Sequence, residues 1–97
     1  MSKGHSIQSL DESLQRLLKQ LGIEHKVNQY RIIEQWPVFV GERIAQVTRA
    51  EQMREGVLFV RVRGMSWRTE LTFQKHLILE KIQQKYGNKI ITDIRFY

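Results

Sequence analysis

The feature that most constrains the fold of this chain is an alternating run of side chains between Gly56 and Trp67. Aliphatic residues occupy every second position of this run, and aromatic or basic residues lie between them. A period of two is typical of a β-strand that is buried on one face only. We therefore predict a strand from Val57 to Arg63. Its core face carries Leu58, Val60 and Val62, and its other face carries Phe59, Arg61 and Arg63.

A first helix is predicted over Ser9–Leu21. Ser9 and Glu12 have the spacing of a capping box, and Gly22 is placed to end the helix. The leucines of this segment recur at helical spacing, so they should form one apolar stripe along the helix. They are Leu10, Leu14, Leu17, Leu18 and Leu21.

A second helix should begin near Ile23 or Glu24. Because Pro37 has no backbone N–H, we expect the helix to kink or break there, with a further turn or two before Val47. The last helix is predicted over Ser66–Tyr86, with the Ser66 hydroxyl as its N-terminal cap.

Two further strands complete the predicted sheet. The segment Val47–Met53 is polar, which favours an edge strand, and the turn Arg54–Gly56 joins it to the central strand as an antiparallel hairpin. The segment Lys89–Tyr97 is the third strand, and the helix that precedes it allows parallel pairing. The predicted order is ααββαβ. The predicted class is α+β, a two-layer domain with a three-stranded sheet and its helices on one face.

Length and composition indicate one small domain. A chain of 97 residues has room for a single core, which we place in residues 9–97, with residues 1–8 as a flexible N-terminus. The absence of cysteine suits a reducing cytoplasm. No apolar run approaches the ~20 residues that span a bilayer, and the N-terminus lacks the apolar stretch of a secretory signal. We therefore predict a cytoplasmic protein without a membrane partner.

Positive charge is concentrated in the C-terminal half of the sequence. The formal net charge is +6. Residues 56–97 hold eight Lys and Arg against three Asp and Glu, whereas residues 1–55 hold eight against seven. A phosphate polymer or an acidic protein surface is the natural partner of such a basic half.

The sequence lacks the motifs that catalysis needs. His5, His25 and His76 do not have the spacing of metal ligands. There is no Gly-rich phosphate loop, and Ser66 has no candidate base near it in the sequence. We therefore predict that the protein is not an enzyme and binds neither a cofactor nor a metal.

The open face of the central strand is the predicted binding site. Aromatic rings stack on bases, and guanidinium groups bind phosphates or stack, so this face predicts a nucleic-acid platform. The third strand and the start of the last helix would extend it. The predicted nucleic-acid-binding residues are Phe59, Arg61, Arg63, Arg68, Arg95 and Tyr97. Two other interpretations stay open: Phe59 packs beneath a loop or against a second copy, or the arginines are plain solvated surface.

The two tryptophans have different predicted roles. Trp36 should pack in the core with its indole N–H bonded to a carbonyl. Trp67 follows the predicted cap of the last helix, where it either packs in the core or anchors a partner protein, because Trp is enriched at interface hot spots.

Four short patterns together resemble the DciA family of bacterial proteins. They are Trp36-x-x-x-Val40-Gly41, Gly56-x-Leu58-x-Val60-x-Val62, Trp67-x-x-Glu70-Leu71 and Ile91-x-x-Ile94-Arg95-Phe96. The resemblance extends over about residues 8–97. It implies a KH-like fold and a role with the replicative helicase DnaB, whose loading on DNA the family assists. It also implies DNA binding with a preference for structures that include single strands.

Ordinary KH domains grip the nucleic-acid backbone with a Gly-x-x-Gly loop, and no two glycines here are three apart. Binding should therefore use the sheet face or helix ends and be salt-sensitive and weakly specific. We predict a nucleoid-associated, non-enzymatic adaptor that binds single-stranded or junction DNA and the replicative helicase. Two alternatives stay open: a protein-interaction module that forms a homodimer without a direct nucleic-acid role, and an RNA-binding KH-like domain.

Overall fold

A computed structural model of the chain describes the backbone of residues 3–97 and the side chains from residue 11 onward. Over this range the chain forms α1 (Lys3–Leu21), α2 (Glu24–Val40), α3 (Glu42–Ala45), β1 (Thr48–Arg54), β2 (Val57–Val62), α4 (Met65–Tyr86) and β3 (Asp93–Phe96). The α+β class is confirmed, and the short α3 is the further turn expected before β1. None of the helices within residues 3–97 combines the length and apolar character needed to cross a bilayer.

The three strands form one open sheet in the order β1-β2-β3. β1 pairs with β2 in antiparallel orientation, and β2 pairs with β3 in parallel orientation. Parallel neighbours need a crossover connection, and α4 supplies it. The predicted central position of β2 and the predicted edge position of β1 are both confirmed.

The hairpin between β1 and β2 turns over two residues. Arg54 pairs with Val57, so Glu55 and Gly56 are the central residues of the turn. Both have positive φ, 50° and 82°, as a type I′ turn requires. Gly56 is also approached closely by Thr92, the residue before β3, because a Cβ added at Gly56 would lie 3.0 Å from Thr92 Oγ1.

The core lies between one face of the sheet and the helices α2 and α4. The sheet contributes Leu58, Val60 and Ile94, α2 contributes Ile32 and Trp36, α4 contributes Leu71, Ile78 and Ile82, and Ile91 joins from the α4–β3 connection. All nine side chains are buried. The alternation in β2 therefore predicts its core face correctly.

Trp36 is a core residue, as predicted, and is 2% exposed. Its Nε1–H donates to Thr48 Oγ1 at 2.9 Å, and that hydroxyl donates onward to the Ile44 carbonyl at 2.8 Å. The predicted bond from the indole N–H to a carbonyl is therefore wrong, because its acceptor is the Thr48 hydroxyl. This relay joins α2, the end of α3 and the first residue of β1.

Tyr86 closes the end of the core near the C-terminus of α4. Its hydroxyl donates to Gln35 Oε1 at 2.7 Å, and its ring lies 6.3 Å from that of Phe39. Burial raises the pKa of Tyr86 above its ordinary value, and the positive charge of Arg31 opposes part of this shift.

The first helix differs from its prediction. It begins at Lys3, so Ser9 is an interior helical residue and the predicted capping box is wrong. Leu18 is 8% exposed and faces the interior, but Leu17 and Leu21 are 49% and 60% exposed, and Leu14 is exposed as well. Of the predicted leucine stripe, only Leu18 is therefore buried, and the Leu10 side chain lies outside the described residues. Of the predicted flexible segment, residues 3–8 have helical backbone, and residues 1–2 lie outside the described range.

The second helix does not break at Pro37. It continues to Val40, and the Gly41 N–H donates to the Pro37 carbonyl at 2.9 Å. A proline inside a helix removes one backbone hydrogen bond. Phe39 and Val40 pack against the core in the turn that follows, and this burial offsets the lost bond.

The last helix begins at Met65, and its N-terminal cap is Gly64 without a side-chain hydrogen bond. The predicted Ser66 cap is therefore wrong. Gly64 has φ 89° and ψ 149°, which favours glycine and lets the chain leave β2 and enter α4 directly.

The third strand is also shorter than predicted. Because pairing begins only at Asp93, Ile91 is not held to the alternation and its side chain is buried.

Candidate nucleic-acid interface

The sheet face opposite the core is formed by register partners on three strands. Residues that pair directly across strands point to the same face. Phe59 therefore shares this face with Gln52 on one side and Arg95 on the other, because both are its partners. In the next row on one side, Val57 pairs with Arg54 and Asp93. In the next row on the other side, Arg61 pairs with Arg49. We call this surface the open sheet face.

The predicted binding residues of β2 lie on the open sheet face. Phe59 is half-buried, and Arg61 and Arg63 are exposed. Arg63 follows the last residue of β2, but its N–H donates to the Val47 carbonyl at 2.8 Å and continues the ladder by one bond.

Tyr97 joins the open sheet face through Arg61. The guanidinium carbon of Arg61 lies 5.0 Å from the centroid of the Tyr97 ring, within cation–π range. The Tyr97 N–H donates to the Val60 carbonyl at 3.0 Å, which fixes the residue beside β2. Phe59 and Tyr97 thus provide two aromatic rings on one surface.

An acidic residue lies in the middle of this surface. Arg61 Nε donates to Glu51 Oε2 at 3.1 Å, and the Tyr97 hydroxyl donates to Glu51 Oε1. Glu51 of the edge strand β1 is therefore hydrogen-bonded to a residue of β2 and to the residue that follows β3. Sequence reasoning missed Glu51 because nothing local to β2 or β3 indicates it.

A β-bulge places Glu51 in this position. Ala50 pairs with Val60 and Gln52 pairs with Phe59, so Glu51 is the extra residue in β1. The bulge restores the alternation after it, so Met53 packs against the core. The sequence signal is the pair of successive polar residues between Ala50 and Met53, which breaks a period of two.

The same bulge brings basic residues of β1 to the open sheet face. Arg49 lies opposite Arg61, and Arg54 lies opposite Val57. Both side chains are exposed. A shallow groove at each end of the face contains them, one with Arg49, Arg61 and Arg63 and the other with Arg54, Phe59 and Arg95. Sequence reasoning left Arg49 and Arg54 out, because their orientation depends on the bulge.

The remaining predicted residues lie on α4 at the end of the sheet. Arg68 is exposed in the first turn of α4 and does not share the rows of Phe59. Trp67 is half-buried, and the guanidinium carbon of Arg43 in α3 lies 5.4 Å from its ring centroid. The structure thus separates these two side chains from the five predicted residues that share the sheet face or continue it.

The charge of the open sheet face is positive. Its arginines are Arg49, Arg54, Arg61, Arg63 and Arg95. The acidic residues of the face are Glu51 and Asp93, and Glu55 of the hairpin turn lines the groove beside Arg54. Asp93 is paired with Lys75 of α4 at 3.1 Å. Guanidinium groups and rings on one surface suit a ligand with phosphates and bases. Among the residues whose side chains are described, no three His, Cys, Asp or Glu form a cluster that could hold a metal ion.

Comparison with known proteins identifies similar chains in bacteria. Residues 9–96 match the family model described as "Dna[CI] antecedent, DciA". A UPF0232 protein of Corynebacterium glutamicum is 35% identical over 66 residues, which are 68% of this chain and 37% of that protein. A UPF0232 protein of Rhodococcus jostii is 30% identical over 79 residues, which are 81% and 42% of the two chains. One of Mycobacterium bovis is 28% identical over 88 residues, which are 91% and 47%. The chain spans less than half the length of these relatives.

Proposed function

The chain belongs to the DciA family, and on this premise we propose that it is a non-enzymatic, DNA-binding adaptor in the loading of the replicative helicase. The open sheet face is the observation that carries the DNA-binding part of the proposal. It combines Phe59 and Tyr97 with five arginines on a surface that the helices leave uncovered. The name of the family model supports the helicase part.

Single-stranded DNA fits this surface better than a duplex does. Phe59 and Tyr97 can stack only on bases that are not already stacked in a helix, and stacking on an aromatic ring contributes about 1–3 kcal/mol per base. The arginines lie at both ends of the face, where they can contact successive phosphates. Binding by stacking and charge is tolerant of sequence, so junctions and tailed duplexes are suitable targets as well.

A salt series tests the DNA-binding part. Fluorescence anisotropy of a labelled 20-nucleotide single strand should give an affinity that falls with salt. The slope of log K against log salt should be about −2 to −3.5, if three to five phosphates are contacted at about 0.7 each. Arg63→Ala should make the slope shallower by about 0.7, whereas Lys19→Ala in α1 should leave it unchanged. A slope near zero, or no binding at 50 mM salt, contradicts the proposal.

The same titration with RNA decides between nucleic acids. We expect DNA and RNA to compete for one surface, because rings and guanidinium groups do not read the 2′-hydroxyl. Tighter binding of RNA by tenfold or more would favour an RNA-binding role. A nucleoid location follows from the DNA-binding proposal, and fluorescence microscopy of the tagged protein in cells tests it.

The helicase partner needs its own experiment. The full chain and the purified replicative helicase of the same organism should co-elute in size-exclusion chromatography, with and without single-stranded DNA. This chain spans less than half the length of its relatives. We therefore propose in addition that the segment that contacts the helicase lies within this chain. Separate elution under both conditions would contradict it and leave the DNA-binding part standing.

We also propose that residues 9–97 form a single KH-like domain. The family resemblance and the run β1-β2-α4-β3 support this assignment. Because the sequence has no Gly-x-x-Gly loop, the domain would differ from ordinary KH domains in using its sheet face. Limited proteolysis followed by mass spectrometry should leave this segment intact, whereas an early cut between α2 and β1 would contradict a single unit.

A further inference from the structure

The carboxylate of Glu51 occupies a position that suits an anion. It accepts one hydrogen bond from Arg61 Nε at 3.1 Å and one from the Tyr97 hydroxyl. A guanidinium group and a phenol that converge on two oxygens of one anion are also what a phosphodiester group needs. The side chain of Glu51 therefore stands where a nucleic-acid phosphate would bind.

We propose that Arg61 and Tyr97 form a phosphodiester subsite, which Glu51 fills in the free protein and vacates when nucleic acid binds. This inference rests on the proposed DNA-binding function and adds a specific subsite to it. Glu51 acts in it as an internal competitor that lowers the affinity of the open sheet face for polyanions.

The position of Glu51 allows it to leave. It is the extra residue of a bulge in an edge strand, and a change of rotamer would break only its side-chain bonds to Arg61 and Tyr97. The side chain of Arg61 is 62% exposed and that of Glu51 is 28% exposed, so water and ligand can reach the pair. An ion pair this accessible is weak, and a ligand with several phosphates can compete with it.

Arg61 should stay in place after the exchange. Its guanidinium lies 5.0 Å from the Tyr97 ring centroid, and this contact does not involve Glu51. The ring therefore keeps the guanidinium over the sheet while its Nε–H changes partner. The neighbouring groove with Arg49 and Arg63 provides the path along which the adjacent phosphates would lie.

Glu51→Gln tests the subsite, because glutamine keeps the length of the side chain and a hydrogen-bond acceptor but removes the charge. We expect single-stranded DNA to bind about three- to tenfold more tightly at 100 mM salt, with a salt slope steeper by about 0.7, as one additional phosphate contact predicts. Glu80→Gln is the matched control. It removes the same charge from the exposed surface of α4 and should change affinity less than twofold.

A double-variant cycle connects the effect to Arg61. Arg61→Ala should weaken DNA binding more in the Glu51→Gln background than in the wild type, because only there is the guanidinium free of its carboxylate. Equal losses in the two backgrounds overturn the subsite. So does an affinity of Glu51→Gln that is unchanged or weaker than wild type, or a gain in Glu80→Gln of the same size.

The outcome also separates this inference from the proposed function. If the wild type binds DNA with the expected salt slope and Glu51→Gln binds no better, the subsite is wrong and the DNA-binding function stands. If neither protein binds at 50 mM salt, both are wrong. Circular dichroism of each variant confirms that the comparison is between folded proteins.

Discussion

Phe59 on β2 and Arg95 on β3 are direct partners in a parallel pair, and they place a ring and a guanidinium side by side on the open sheet face. The two side chains come from strands that are separated in sequence by the whole of α4. The crossover through α4 therefore builds the surface as well as the core.

Substitution of these two partners should separate stacking from charge. Phe59→Ala should weaken single-stranded DNA binding by about 5- to 150-fold without changing the salt slope, because a stacked ring contributes about 1–3 kcal/mol and releases no counterion. Arg95→Ala should make the slope shallower by about 0.7. Anisotropy at four or more salt concentrations measures both. If Phe59→Ala alters the slope and not the affinity extrapolated to high salt, the ring does not stack on bases.

The relay from Trp36 to Thr48 should contribute measurably to stability. Thr48→Val preserves the shape of the side chain but leaves the buried indole N–H without an acceptor, which should cost about 1–3 kcal/mol. Urea unfolding followed by tryptophan fluorescence gives the free energy. Thr69→Val on the exposed surface of α4 is the control and should stay within about 0.5 kcal/mol of wild type. A cost equally small for Thr48→Val would show that the indole finds another partner.

Two adjacent leucines of α1 should differ in their effect on stability. Leu18 is buried and Leu17 is half exposed, although both belong to one predicted stripe. Leu18→Ala should cost about 2 kcal/mol or more, whereas Leu17→Ala should cost less than about 1 kcal/mol. Thermal and urea unfolding of both variants measure this difference. Equal costs would mean that the whole stripe packs on the protein in solution.

The alternation in β2 predicted its two faces because each side chain of a strand must point either to the core or away from it. The partners of that face could not be predicted in the same way. Arg49 and Arg54 are five positions apart, and they share this face only because the bulge at Glu51 shifts the register of β1 between them; such a register depends on the neighbouring strand. Arg95 and Tyr97 were predicted on the condition that β3 pairs beside β2, which the parallel ladder satisfies.

The leucine stripe of α1 shows what helical periodicity cannot predict, namely which residues of an apolar face are buried. Helical spacing indicates that a face is apolar, but it does not indicate what covers that face. Here α1 packs against α2, and Leu18 is buried whereas Leu14, Leu17 and Leu21 are exposed. The continuation of α2 through Pro37 has a similar origin, because the burial of Phe39 and Val40 depends on tertiary contacts that local sequence does not contain.

The most direct test of the DNA-binding account is where single-stranded DNA contacts the folded chain. In ¹⁵N-resolved NMR spectra titrated with a 10-nucleotide single strand, the Nε–H signals of Arg61, Arg63 and Arg95 and the backbone amides of β2 and β3 should shift together and saturate. The outer surface of α4 should stay unchanged. Shifts confined to the helices, with the signals of β2 and β3 unmoved, would contradict a binding surface on the open sheet face.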